Sequence, residues 1–134
     1  MKKEYYTLLI IFCCFIILFS CQKEISWNLG SEGELAKDND NNCAPVIING
    51  NYVASQRLRD SNYLIVNLRI TVPGNYKVYT DTVNGFYFKG GGKAASPGTM
   101  QVKLSSAGKP LTTETSHFNI FYNNSRCEAT IVVN

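Results

Sequence analysis

Histidine is nearly missing from this chain. His117 is the only one in 134 residues, and no two cysteines stand in a CxxC pair. A structural zinc site draws its ligands from Cys and His at close spacing, so both halves of that pattern are wanting. Long apolar runs are missing too: Leu8 to Phe19 covers about 12 residues, whereas a helix needs about 20 to span a bilayer. A permanent transmembrane anchor is therefore the weaker reading. The chain also lacks a strong charge of one sign, with 13 Lys and Arg against 10 Asp and Glu. Without residues 1–20 the count is 11 basic and 9 acidic, a formal +2. These charges are scattered along the sequence with no basic stripe, so the small excess argues neither for nucleic acid nor for an anionic surface as a partner. Past residue 43 no helical period is visible.

What is there begins with the amino terminus. Lys2 and Lys3 give a positive start beside Glu4, and an uncharged run of mostly Leu, Ile, Phe and Cys follows to Phe19. That pattern reads as a signal peptide. Its end, Leu18-Phe19-Ser20-Cys21, resembles the lipobox of bacterial lipoproteins, with Leu three positions before a Cys and a small residue directly before it. The resemblance implies that Cys21 receives diacylglycerol, that cleavage follows Ser20, and that the new α-amine is acylated by a palmitate-type chain. At about 0.8 kcal/mol per buried methylene one chain holds marginally and two or three hold firmly. The competing reading is an ordinary signal peptide with an incidental cysteine. Gln22-Lys23-Glu24 follows Cys21 with no Asp directly after it. The resemblance thus implies the cell envelope, the outer membrane and surface exposure.

Five cysteines sort themselves on this reading. Cys13 and Cys14 leave with the leader and Cys21 carries lipid. Cys43 and Cys127 remain as an even pair in an oxidising compartment, where disulfides persist. A bridge between them would close nearly the whole remaining sequence; the alternative is two separate buried thiols.

Residues 21–42 look like a lipid-anchored flexible tether. They hold Gly30, Ser31, Gly33 and the polar run Lys37-Asp38-Asn39-Asp40-Asn41-Asn42, with too little apolar surface to offset the entropy of ordering. Trp27 is the exception, an isolated aromatic at the membrane interface or docked on the domain. Residues 43–134, about 92 in all, suffice for one small domain. Here alternation dominates. Leu64, Val66, Leu68, Ile70 and Val72 occupy every second position, with Tyr63, Asn67, Arg69 and Thr71 between them. One row faces a core and the other does not. Similar rows follow at Tyr76-Val78-Thr80, Phe86-Phe88, Met100-Val102-Leu104, Phe118-Ile120-Tyr122 and Cys127-Ala129-Ile131-Val133. Pro73-Gly74-Asn75, Asn84-Gly85 and Asn123-Asn124-Ser125 mark turns between them. Cys43 begins the first strand, Cys43 to Ile48, and Cys127 sits on the inward row of the last, so the bridge staples the terminal strands. The pattern predicts an all-β fold, a single antiparallel sandwich of about seven or eight strands.

The run of Gly50-Asn51-Tyr52, the long alternation, Pro73 to Val78, Asn84 to Phe88, Gly98, Gly108-Lys109-Pro110 and a late Cys resembles the immunoglobulin-like repeats of bacterial surface proteins. It covers nearly all of residues 43–134, and its motifs are turn chemistry and core rows. The resemblance therefore implies an immunoglobulin-like sandwich and says little of activity.

No catalytic constellation emerges. His117 lies on an outward row with no residue marked as its orienting partner. Asp38 to Asn42 resembles the start of a calcium loop, but Cys43 and Asn49 occupy the positions where Gly and Glu are required. Gly90-Gly91-Gly92-Lys93 fails as a phosphate loop, because Tyr87 and Ala94 stand where Gly and Ser or Thr belong; a flexible turn is the natural reading. The outward aromatics Tyr63, Tyr79, Tyr87 and Phe121 are the candidate ligand contacts, able to stack on sugar rings or to anchor a protein. The expectation is a non-enzymatic interaction or structural module without cofactor or metal, held at the membrane by lipid on Cys21. Its partner would be an envelope protein or a glycan, and not nucleic acid. A surface glycan-binding module supporting polysaccharide capture or adhesion is the alternative.

Overall fold

Each alternating row becomes a strand. The structure, a computed structural model, describes residues 29–134; the leader, Cys21 and Trp27 lie outside the described residues. Eight strands form: β1 (Glu32–Leu35), β2 (Val46–Asn49), β3 (Tyr63–Val72), β4 (Gly74–Thr80), β5 (Phe86–Ala94), β6 (Gly98–Gly108), β7 (Thr115–Tyr122) and β8 (Ser125–Val132). All pair antiparallel in the order β1-β3-β6-β5-β4-β7-β8, with β2 also on β3. The fold is all-β, as the alternation predicts.

β1 and β2 lie end to end along one side of β3. Leu35 pairs with Leu68 and Val46 with Val66. Between them the chain makes an excursion to the opposite margin of the sheet. There Cys43 N–H donates to the Glu128 carbonyl and Glu128 N–H donates to the Asn41 carbonyl, both at 2.9 Å. The two margins therefore meet and the sheet is nearly a barrel. Cys43 and Cys127 form a disulfide at the same place, with Cα atoms 4.9 Å apart. Cys43 belongs to this excursion and does not begin a strand; β2 starts at Val46.

The inward rows fill the interior, except that on β3 the row ends at Ile70: Val72, expected to continue it, is 44% exposed beyond the edge of the core. Phe86, Phe88 and Phe118 are wholly buried, with ring centroids 4.8 to 5.8 Å apart. Burying each such side chain contributes about 2–3 kcal/mol relative to exposure. Tyr52, from the connection between β2 and β3, adds its ring at 5.9 Å from Phe86. Burial pushes its phenol well above the ordinary tyrosine pKa, and its hydroxyl donates to the Asn49 carbonyl at 3.0 Å.

The stretch 29–42, read from sequence as tether, is instead part of the fold. β1 pairs with the end of β3, Leu35 is buried, and so is Ser31, whose hydroxyl shares a 2.7 Å hydrogen bond with the Tyr122 hydroxyl. Strand pairing here needs the backbone of Glu32-Gly33-Glu34 and only one apolar side chain. Alternation cannot reveal such a strand. Gly33 permits the approach, since a Cβ there would stand 2.1 Å from the Arg69 carbonyl oxygen.

Gly90-Gly91-Gly92 is not the flexible turn expected from the sequence but the middle of β5. The Tyr76 side chain lies over Gly92, its register partner. A Cβ on Gly90 would meet the Lys103 carbonyl oxygen at 2.4 Å. Neighbouring groups take the space that side chains would fill. Asn84-Gly85 forms the expected tight turn, at φ 50° and 81°. The Asn84 side-chain carbonyl accepts from the Leu111 and Thr112 backbone N–H groups at 3.1 and 2.9 Å, pinning the loop before β7.

Two stability effects follow. The bridge spans 84 residues of sequence, so replacing Cys43 and Cys127 together by Ala lowers the unfolding free energy by about 3–5 kcal/mol. The denaturant midpoint measures it, and a loss under about 1 kcal/mol would contradict the assigned role. Gly90→Ala, a change that stabilises an unstrained site by about 0.4–1 kcal/mol, here destabilises by about 1–3 kcal/mol. The sign of the shift in thermal midpoint decides it.

Candidate functional site

The outward residues of seven strands fall into one transverse row. Register pairs Arg126 with Phe121, Phe121 with Tyr79, Tyr79 with Lys89, Lys89 with Ser105, Ser105 with Tyr63, and Tyr63 with Asn49. Partners on adjacent strands are separated by about 4.8 Å, so each side chain touches or nearly touches the next. The row is continuous because β4 pairs with β5 and, through Tyr79 and Thr80, also with β7.

Of the four aromatics expected to face outward, the structure brings two together. Tyr79 and Phe121 stack with centroids 5.5 Å apart and planes 29° from parallel. Tyr79 is the most open of the four, at 46% exposure, while Tyr63, Tyr87 and Phe121 are half-buried. Tyr87 stands two residues from Lys89 on β5, across from Ala107. Tyr63 is set apart, three strands from Tyr79 and therefore about 14 Å away along the row. The four do not form one platform.

Lysines complete this surface, and the sequence reading did not include them. Lys77 Nζ lies 5.8 Å from the Tyr79 ring centroid, Lys89 Nζ 5.9 Å from that of Tyr87, and Lys103 Nζ 4.2 Å from that of Tyr63. These are cation–π distances, and at 4.2 Å one face of Tyr63 is taken. The signal was present as the i, i+2 spacing of Lys77 with Tyr79 and of Tyr87 with Lys89, which puts each pair on one face of its strand. Beside the row a shallow depression of about 410 Å³ is lined by Lys77, Lys89, Gly90, Gly91 and Ser105. Two other hollows lie elsewhere on the domain. One, about 630 Å³, lies against Ser31, Glu34 and Asn123. The other, about 350 Å³, lies against Arg57, Arg59 and Asn62.

The remaining motifs are occupied locally. His117 Nδ1 lies 3.0 Å from Glu128 Oε1 and 3.2 Å from Thr130 Oγ1, on the exposed face of β7. The Asp38 carboxylate accepts the backbone N–H groups of Asp40 and Asn42 at 2.9 Å and the Asn42 amide at 3.1 Å. The Asn42 amide, with these backbone donors, holds its pKa below the usual carboxylate value by favouring the charged form. It thus organises its own turn. Among the described residues no three His, Cys, Asp or Glu side chains gather as metal ligands. Comparison with protein-family models, with curated proteins and with solved structures finds no match to this chain.

Proposed function

We propose that this chain is a lipid-anchored protein of the cell envelope whose immunoglobulin-like domain acts by binding and not by catalysis. The strand order supports the domain type. Lettered in chain order from β2, the pairing path β2-β3-β6-β5-β4-β7-β8 reads A-B-E-D-C-F-G, the order obtained when the ABED and CFG sheets of an immunoglobulin domain meet at one edge. The bridge from the first connection to β8 differs from the B–F disulfide of antibody domains. The lipobox-like Leu18-Phe19-Ser20-Cys21 supports attachment through Cys21 at the outer membrane, with the domain facing outward.

The observation that carries the binding role is the exposed Tyr79–Phe121 stack on a surface row shared with lysines. Paired rings offer a broad rigid contact at little entropic cost. A glycan partner is favoured by Tyr79, which stays 46% exposed while Phe121 covers one side of its ring, so that the rest of the ring is open to a sugar. A protein partner of the envelope remains the broader class.

Two experiments separate these. Cys21→Ala releases the protein from the membrane fraction into the soluble fraction; unchanged membrane association would overturn the anchor. On a glycan array the full-length protein in detergent binds a subset of polysaccharides, and Tyr79→Ala reduces that signal about tenfold. An array without hits, together with cross-linked recovery of a discrete envelope protein, would replace the glycan reading with the protein one.

A further inference from the structure

Lysines scattered along the sequence are gathered by strand pairing. β3, β6, β5 and β4 are successive neighbours, and none of the four contains Asp or Glu. They carry Arg69, Lys77, Lys89, Lys93 and Lys103. The described acidic residues lie on β1, β8 and the connecting segments. Arg69 is neutralised by Glu34 at 3.1 Å. Lys77, Lys89 and Lys103 make no ion pair with a described residue and rest over tyrosine rings instead.

Lys77 and Lys89 also flank a floor without side chains. The register partner of Lys77 is Gly91, and Gly90 and Gly91 line the depression together with Lys77, Lys89 and Ser105, mostly through apolar atoms. A flat chain laid along the row would meet Tyr79, then Lys89 with Lys77 beside it, then Ser105. A neutral sugar would use the ring and leave the two cations uncompensated. An anionic group on the sugar adds a charge contact at each.

We propose that the β4–β5–β6 face recognises an acidic polysaccharide, its anionic groups held by Lys77 and Lys89 and a sugar ring by Tyr79. This rests on the glycan reading above and narrows it to a charged class. A single-stranded nucleic acid also joins anions to flat rings, but the exported location expected from the leader sets it aside.

The test titrates the full-length protein in detergent with alginate, with uncharged dextran and with an oligothymidylate. Alginate is expected to bind at least about tenfold more tightly than either of the others, and to weaken about fivefold or more as salt rises from about 0.05 to 0.3 M. Lys77→Gln with Lys89→Gln lowers alginate affinity about tenfold, and Tyr79→Ala does so independently, each with an unchanged thermal midpoint. Equal binding of dextran and alginate overturns the charge assignment and leaves the glycan reading intact. Tighter binding of the oligothymidylate overturns the ligand class. Indifference of alginate binding to all these substitutions overturns the location. Failure of both polysaccharides to bind overturns the proposal, and a glycan array without hits would then extend that failure to the glycan reading.

Discussion

The excursion from Lys37 to Pro45 leaves the β3 side of the sheet, crosses to β8 and returns to begin β2. Two backbone hydrogen bonds to Glu128 and the Cys43–Cys127 bridge hold it there. An open sheet of this length would present a row of unpaired N–H and C=O groups at each margin and a core open at the seam. With the seam closed, Cys43, Cys127 and Leu35 are all buried. The covalent bond restricts the unfolded chain, while the hydrogen bonds and the buried apolar atoms stabilise the folded one. A small domain with a limited core depends on both.

Strand pairing also shapes the outside. β4 pairs with β5 on one side and β7 on the other, so Tyr79 has Lys89 on one side and Phe121 on the other. β5 is crowded by its neighbours, and the glycines answer that crowding. Gly90 leaves room for the Lys103 carbonyl and Gly92 for the Tyr76 ring. Both of these positions face the core; of the three glycines only Gly91, the register partner of Lys77, lies on the outward row with Lys89.

Much of the fold was legible because burial on one face writes itself as period two. The rows Leu64 to Ile70, Phe86-Phe88 and Phe118-Ile120-Tyr122 are buried as the alternation requires. Asn84-Gly85 and Asn123 turn the chain in left-handed conformations that few other residues tolerate. The candidate cysteine pair followed from parity. β1 was hidden because a short edge strand is held mainly by backbone hydrogen bonds, and Glu-Gly-Glu carries no apolar signature. The triglycine misled for a related reason: glycine marks either freedom or crowding, and only the neighbours say which.

The sequence by itself determined the strand class and most of the inward rows, and it singled out Cys43 and Cys127 as the candidate pair. Each is a property of local period or of counting. Tertiary structure decided what shares a surface. Tyr79 and Phe121 are 42 positions apart, and Lys77, Lys89 and Lys103 sit on three different strands. Their juxtaposition is a matter of register, which depends on how every strand between them pairs. Register in turn rests on which face each strand buries and on where the margins of the sheet are joined.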